Sequence, residues 1–260
     1  MIETTGSFPV SRASSIPAVT AAQMAEVDRL AVDEFGIDIL QMMEQAGSHL
    51  AELARTELGG DLRDRRVIVA VGPGNNGGGG LAAARHLANR GASVRVVLAR
   101  PVNRLTEAGR HQLATLLQMS VACCVAIYDV PDDELDREFA AADAIVDAVL
   151  GYGAAGVPHD GVLWLVERIA RASVPVISLD LPSGVDADTG ETSGAAVRAT
   201  ATLTLALPKP GLLSEAGRSR AGRIHLADIG LPAALYRRLG LDSGTPFASG
   251  RIVRLLEAEA

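Results

Sequence analysis

Residues Val69–Leu87, VAVGPGNNGGGGLAAARHL, decide the fold. An apolar run rich in β-branched residues (Val67, Ile68, Val69, Val71) stops at Gly72. A loop of glycine, proline and asparagine follows, with Gly77 to Gly80 unbroken, and helix formers continue from Leu81 to Leu87. The pattern predicts strand, tight loop, helix. Gly72, Gly74 and Gly77 fit G-x-G-x-x-G between a strand and a helix. Without Cβ atoms the backbone can turn sharply and let a ligand approach. The following helix offers unpaired N–H groups and a positive dipole end, which suit a phosphate. A Walker loop is excluded, because no Gly-Lys-Ser/Thr follows. The competing reading is a turn that merely packs a helix on a sheet. Asn75 and Asn76 weigh against it, since their amide oxygens can coordinate a hard cation or orient a ligand hydroxyl.

Outward from this stretch the chain alternates. Strands are predicted at Ser93–Ala99, Val121–Ile127, Ala144–Val149, Val174–Leu179 and Ala199–Leu207, with an edge strand at Gly222–Ala227. Helices are predicted at Leu105–Met119, Leu135–Ala141 and Gly161–Ala172, the last with the lone Trp164 facing the core. Such alternation means a parallel sheet with right-handed crossovers. Upstream, Thr20 with Gln23 reads as a capping box opening a helix that Gly36 breaks. A second helix runs from Ile37 to Leu58 with an apolar stripe of Leu40, Met43, Ala46, Gly47, Leu50 and Leu53. Asp28 and Glu44 read as solvated or capping charges. The expected class is α/β, a three-layer Rossmann-like sandwich with a mostly parallel central sheet and the two N-terminal helices on one side. It is a single domain over residues 19–240, with a loose tail at 1–18 and another at 241–260.

The 260 residues carry a net charge of -7, with 48% apolar and 3% aromatic residues. This balance argues against nucleic-acid and acidic-membrane partners. The start of the chain lacks a basic n-region and an apolar core, and no run reaches membrane-spanning length. Cys123 and Cys124 are adjacent, unsuited to a C-x-x-C pair or a zinc site, and read as reduced thiols on a buried strand in a cytoplasm. His49, His86, His111, His159 and His225 have no metal-ligand spacing.

In a doubly wound sheet, ligands bind beyond the carboxyl ends of the strands. Asp147 sits in the apolar run AIVDAVLG, and Asp180 at the tip of SLDLPSG. A buried carboxylate is costly unless it meets a cation or several donors. A second glycine-rich loop, Gly151 to Val157, follows the first acid, and a Pro182–Gly184 turn follows the second. Two acids beside two glycine loops and an asparagine pair point to one convergent site.

These stretches resemble the YjeF N-terminal family, the NAD(P)HX epimerases. The loop matches that family's G-P-G-N-N-G-G-D-G-L-x-A-A-R-H-L except at Gly79, where the family has aspartate. V-D-A-x-L-G-x-G at Val146–Gly153, D-x-P-S-G at Asp180–Gly184, the stretch Thr202–Leu212 with its K-x-G, and G-R-I-H-L-A-D-I-G-L-P at Gly222–Pro232 extend the resemblance over roughly residues 20–235. The ATP-dependent dehydratase domain that some members carry in fusion is absent from this sequence. The resemblance implies that Asn75, Asn76, Gly77, Gly78 and Gly79 line a hydrated nicotinamide nucleotide. It implies that Gly151, Tyr152, Gly153, Ala154, Ala155, Gly156 and Val157 cradle the phosphates. Asn76, Asp147 and Ser183 would ligate a potassium ion (K+), and Asp180 would contact the nicotinamide ring as the acid–base group. It further implies a homodimer through the N-terminal helices.

Two other readings stay open from the sequence. Gly79 suggests a weakened or repurposed relative that binds a nucleotide or small molecule, with four glycines making the loop floppy. The glycine fingerprint alone would also allow an NADP-dependent oxidoreductase, for which Arg100 could meet a 2′-phosphate.

Overall fold

In this computed structural model, residues 8–154 and 156–257 are described. In chain order the elements are β1 (Val10–Arg12), α1 (Ala21–Asp33), α2 (Ile39–Glu57), β2 (Arg66–Val71), α3 (Asn75–Asn89), β3 (Ser93–Leu98), α4 (Glu107–Gln118), β4 (Ala122–Val125) and α5 (Asp132–Ala141). Then come β5 (Ala144–Ala148), α6 (Asp160–Ala170), β6 (Val176–Leu179), β7 (Ala201–Leu205), α7 (Pro210–Leu213), α8 (Glu215–Ala221), β8 (Arg223–Ala227), α9 (Ala233–Arg238) and β9 (Ile252–Leu256). The strands form one nine-stranded sheet, ordered β1-β9-β8-β7-β6-β5-β2-β3-β4. All described pairings are parallel except β8 with β9.

Alternation along the strands builds three layers. Val67, Val69 and Val71 of β2 join one core with α1, α2, α3 and α4. Ile68 and Ala70 face the other core, with Leu135 and Phe139 of α5 and Trp164 and Leu165 of α6. Trp164 is buried as expected, with Phe139 edge-on at 6.3 Å and the Arg168 guanidinium 3.4 Å over its ring. The α1 cap is the predicted box: the Thr20 side chain accepts from Gln23 N–H, and Gln23 reaches back to Thr20 N–H. Cys123 and Cys124 are free thiols on β4, and burial pushes Cys124 up to about 11.

The structure corrects three expectations. Gly222–Ala227 is not an edge: β8 lies between β7 and β9. The stretches expected as tails supply β1 and β9, which extend the sheet beyond β8. Strands of three and five residues carry little periodicity of their own and are completed by their neighbours' hydrogen bonds. The glycine run is not loop: Gly77 to Gly80 lie in the first turns of α3, all buried.

Those glycines are required by close approach. A Cβ at Gly72 would stand 1.8 Å from the Val149 carbonyl oxygen, and one at Gly80 would stand 2.4 Å from the Ala148 Cβ. Gly47 lets α2 touch α3, where a Cβ would fall 2.5 Å from that of Ala82. Packing thus offsets the roughly 1 kcal/mol that each helical glycine costs relative to alanine.

One buried group gives the fold a pH dependence. His225 on β8 is buried, with Phe8 edge-on at 5.4 Å, and burial pushes its pKa down to about 4. As pH falls below about 6.5 the unfolded chain takes up a proton that the folded chain refuses, so stability is lost between about pH 6.5 and 4. By about pH 5 the loss reaches roughly 2 kcal/mol. Urea denaturation at neutral and mildly acidic pH measures it, and His225→Phe should flatten the difference.

Candidate functional site

The chain runs from β2 outward to β3 and β4, then returns to place β5 on the other side of β2. That reversal is a topological switch, and a crevice opens beyond the strand ends there. The cavity measures about 410 Å³. Its floor is the loop after β2 (Pro73, Gly74), the start of α3 (Asn75, Asn76, Gly79), the loop after β5 (Val149 to Ala154) and the tip of β6 (Leu179, Asp180). Its apolar wall is Met24 of α1, Ile39, Met42 and Met43 of α2, Leu205 and Ile229.

Asp180 is the centre of the site. It is buried and sits in the left-handed region at φ 68°. The Lys209 Nζ donates to its Oδ1 at 2.5 Å, and the Tyr152 N–H donates to its Oδ2 at 2.9 Å. Lys209 is wholly buried and also donates to the Leu205 carbonyl at 2.9 Å. Left-handed backbone costs a non-glycine residue on the order of 1–3 kcal/mol, although aspartate adopts it more readily than most.

Asp28 of α1, a solvated or capping charge by the sequence reading, is part of the same site. It lines the cavity, and the Tyr152 hydroxyl donates to its Oδ2 at 2.6 Å. Burial raises its pKa above the ordinary carboxylate value. Burial, followed by the nearby Asp28 charge, likewise raises that of the Tyr152 phenol. Glu44, given the same reading, pairs with Arg85 and lies 2.7 Å from His86 Nε2; burial is the largest single influence and raises its pKa, but the Arg85 and His86 interactions together outweigh it and lower it.

Asp147 lies beneath the loop after β5, fully buried, beside its cross-strand neighbour Ser178. Its carboxylate accepts from Ser178 Oγ at 2.8 Å, Ser183 N at 2.9 Å and Ser183 Oγ at 2.5 Å. Burial outweighs these bonds and raises its pKa. Ser183 Oγ in turn accepts from Leu150 N–H at 2.9 Å. Asn76 Nδ2 donates to the carbonyls of Leu150 and Leu179, at 3.0 and 3.3 Å. Asn76, Asp147 and Ser183 therefore meet around one turn.

The structure brings Asn75, Asn76, Gly79, Gly151, Tyr152, Gly153, Ala154 and Asp180 to the cavity. Gly77 and Gly78 instead pack inward, against the Gly72 carbonyl and Met43. Gly156 and Val157 are exposed beyond the cavity, and Ala155 lies outside the described residues. The reading from sequence missed Lys209 and Asp28. Asp28 had a signal: with Met24, Val27 and Ala31 it falls at helical spacing on the buried face of α1. Lys209 stood in the K-x-G stretch, but its burial follows from the order β6-β7, which no local pattern reveals.

Comparison with known proteins agrees with this architecture. The chain is 42% identical over 253 residues to an NAD(P)H-hydrate epimerase of Dehalogenimonas lykanthroporepellens, covering 97% of this chain and 98% of that protein. It is 40% identical to the bifunctional NAD(P)H-hydrate repair enzyme Nnr of Moorella thermoacetica, over 84% of this chain but 41% of that longer protein. The crystal structure of yeast ynu0 superposes with a TM-score of 0.80 at 24% identity, covering 92% of this chain and all of that one, a likeness of fold. Residues 39–211 match the family described as YjeF-related protein N-terminus, and the chain belongs to that family.

Proposed function

We propose that this protein interconverts the R and S epimers of hydrated NADH and NADPH, a step of metabolite repair that feeds a dehydratase accepting one epimer. The observation that carries the reading is Asp180, a buried carboxylate at the floor of an otherwise largely apolar cavity, held by Lys209 and a backbone N–H. Relatives named as epimerases align over 97% and 82% of this chain. Epimerising the hydrated ring means opening a hemiaminal and closing it on the other face. A fixed carboxylate is suited to take the hydroxyl proton and return it. Asn75, Asn76 and Gly79 line the cavity beside it, where the unpaired N–H groups at the start of α3 favour a phosphate. Gly151, Tyr152, Gly153 and Ala154 line it as well.

The reading of a weakened relative rested on the aspartate missing at Gly79 and on a floppy glycine loop; the glycines are helical and packed, which answers the second ground alone. An aspartate at 79 would place its Cβ 2.9 Å from Leu179 Cδ2, so that side chain would have to turn aside. The oxidoreductase reading also weakens, since Arg100 bonds Asp160 and His159 and does not line the cavity. Homodimerisation through α1 and α2 rests on the family resemblance and on the breadth of the α2 stripe. The stripe of α2 is used within the chain, against α3, the sheet and the cavity. Among the described residues, no helix is long and apolar enough to cross a membrane.

Potassium fits the turn beneath the cavity. Asp147, the Ser183 hydroxyl, the Asn76 amide and the carbonyls of Leu150 and Leu179 offer hard oxygens with one negative charge. Among the described residues the partners of Asp147 are hydroxyls and backbone N–H groups, none of them cationic. A bound ion would supply that missing positive charge. Thermal melting in potassium chloride should exceed that in sodium chloride by a few degrees, because an ion that binds only the folded state stabilises it. Asp147→Asn should abolish the difference. A variant that is more stable, with the potassium shift unchanged, would refute the site.

The function itself is tested by coupling to an ATP-dependent dehydratase that accepts one epimer, on a mixed pool of NADPHX. The dehydratase alone should stop when its epimer is exhausted, and adding this protein should carry the recovery of NADPH to completion. No further recovery would sink the proposal.

A further inference from the structure

We propose that Asp28 is the second acid–base residue of the site, alongside Asp180, with Tyr152 as the residue that positions it. The inference rests on the epimerase reading above and adds a group to it.

Tyr152 joins the two acids. Its backbone N–H holds Asp180 at 2.9 Å, and its hydroxyl holds Asp28 at 2.6 Å. One residue of the loop after β5 therefore fixes a carboxylate from the tip of β6 and another from α1. Both acids and Tyr152 line the same cavity. Lys209 lies 5.9 Å from the Tyr152 ring centre and is committed to Asp180. Asp28 forms no ion pair among the described residues, and one carboxyl oxygen is taken by the phenol.

The chemistry needs two proton positions. Opening the hydrated ring removes a proton from the hydroxyl as its carbon becomes an aldehyde. The bond from that carbon to the ring nitrogen breaks, its electron pair goes to the nitrogen, and the nitrogen must receive a proton. Asp180, paired with a lysine, is suited to be the base. Among the described residues no cation is bonded to Asp28, which is suited to be the acid. Burial raises its pKa above the ordinary carboxylate value, the direction that favours the protonated form. After the aldehyde rotates, the nitrogen attacks its other face, Asp28 takes its proton back, and Asp180 returns the first. Nothing is consumed, as an epimerisation requires.

The groups facing Asp28 set the direction of its pH response. Tyr152 and Lys209 lower its pKa, and Asp180 raises it. Tyr236 of α9 also lies within electrostatic reach of Asp28. Removing the Tyr152 hydroxyl should therefore move the Asp28 limb of the rate profile to higher pH, while leaving the acid in place.

The test is the pH profile of kcat and KM for epimerisation of NADPHX by the native protein, Asp28→Asn, Asp28→Glu and Tyr152→Phe, with melting of each variant as the check on folding. Asp28→Asn should lower kcat by about 10²-fold or more with KM nearly unchanged. Asp28→Glu should restore part of it, and Tyr152→Phe should shift the limb upward with a smaller loss. A folded Asp28→Asn with native kcat, or a loss confined to KM, would overturn the assignment. Because the native protein is measured alongside, an inactive native protein would count against the epimerase reading, and an active one with an active Asp28→Asn against Asp28 alone.

Discussion

Asp180→Asn should lower the epimerisation rate by about 10²–10⁴-fold, the range over which a general acid–base group contributes. The substitution is nearly isosteric, and the amide oxygen can still accept from the Lys209 ammonium. The buried ammonium is nevertheless left without its anion, and the amide nitrogen cannot accept from the Tyr152 N–H, so some stability is lost as well and the rate is read on a variant shown to be folded. What is lost is the basic oxygen at a fixed point on the cavity floor, between Lys209 at 2.5 Å and the Tyr152 N–H at 2.9 Å. The expected signature is a fall in kcat with KM close to native, measured on a purified epimer with the variant shown to be folded. A rate within a few-fold of native would remove Asp180 from the mechanism. A large rise in KM with native kcat would make it a binding group instead.

Lys209→Met should cost stability as well as activity. The lysine is wholly buried and its ammonium is held by Asp180 and the Leu205 carbonyl. Methionine fits the space of the stem but leaves a buried carboxylate without its cation. Removing one partner of a buried pair typically costs about 3–5 kcal/mol, because the remaining charge is uncompensated. Urea denaturation should show a loss of that order. The double variant Lys209→Met with Asp180→Asn should regain much of it, since no charge is then left buried alone. A single variant within about 1 kcal/mol of native would contradict the buried-pair account.

The sheet and most of its elements were legible because their causes are local. β-branched runs ended at glycine, helical stripes carried caps, and the order of elements demanded parallel pairing. Asp147 and Asp180 stood out because a carboxylate inside an apolar strand is expensive and needs a reason. Asn76 and Ser183 were legible through the loops that carry them. What was not legible depended on contacts between distant segments. β1 and β9 pair residues 10–12 with 254–256, a match no window along the chain contains. Asp28 looked solvated because a polar residue on a helix usually is, yet it shares the face of Met24 and Ala31. Lys209 comes to Asp180 only because β7 lies beside β6 in the sheet. Gly77 to Gly80 looked like loop because glycine is a poor helix former. Their helical state follows from the closeness of Gly72, Met43, Leu179 and Ala148, which leave no room for side chains.

The claim that this cavity epimerises a hydrated nicotinamide is tested most directly by starting from each pure epimer. Purified R-NADPHX and purified S-NADPHX are incubated separately with the native protein, and the epimers are resolved by chromatography over time. Catalysis requires that both reactions converge on one mixture, faster than without protein, with the acceleration lost in Asp180→Asn. If each epimer persists at its spontaneous rate in the presence of folded native protein, the account is contradicted.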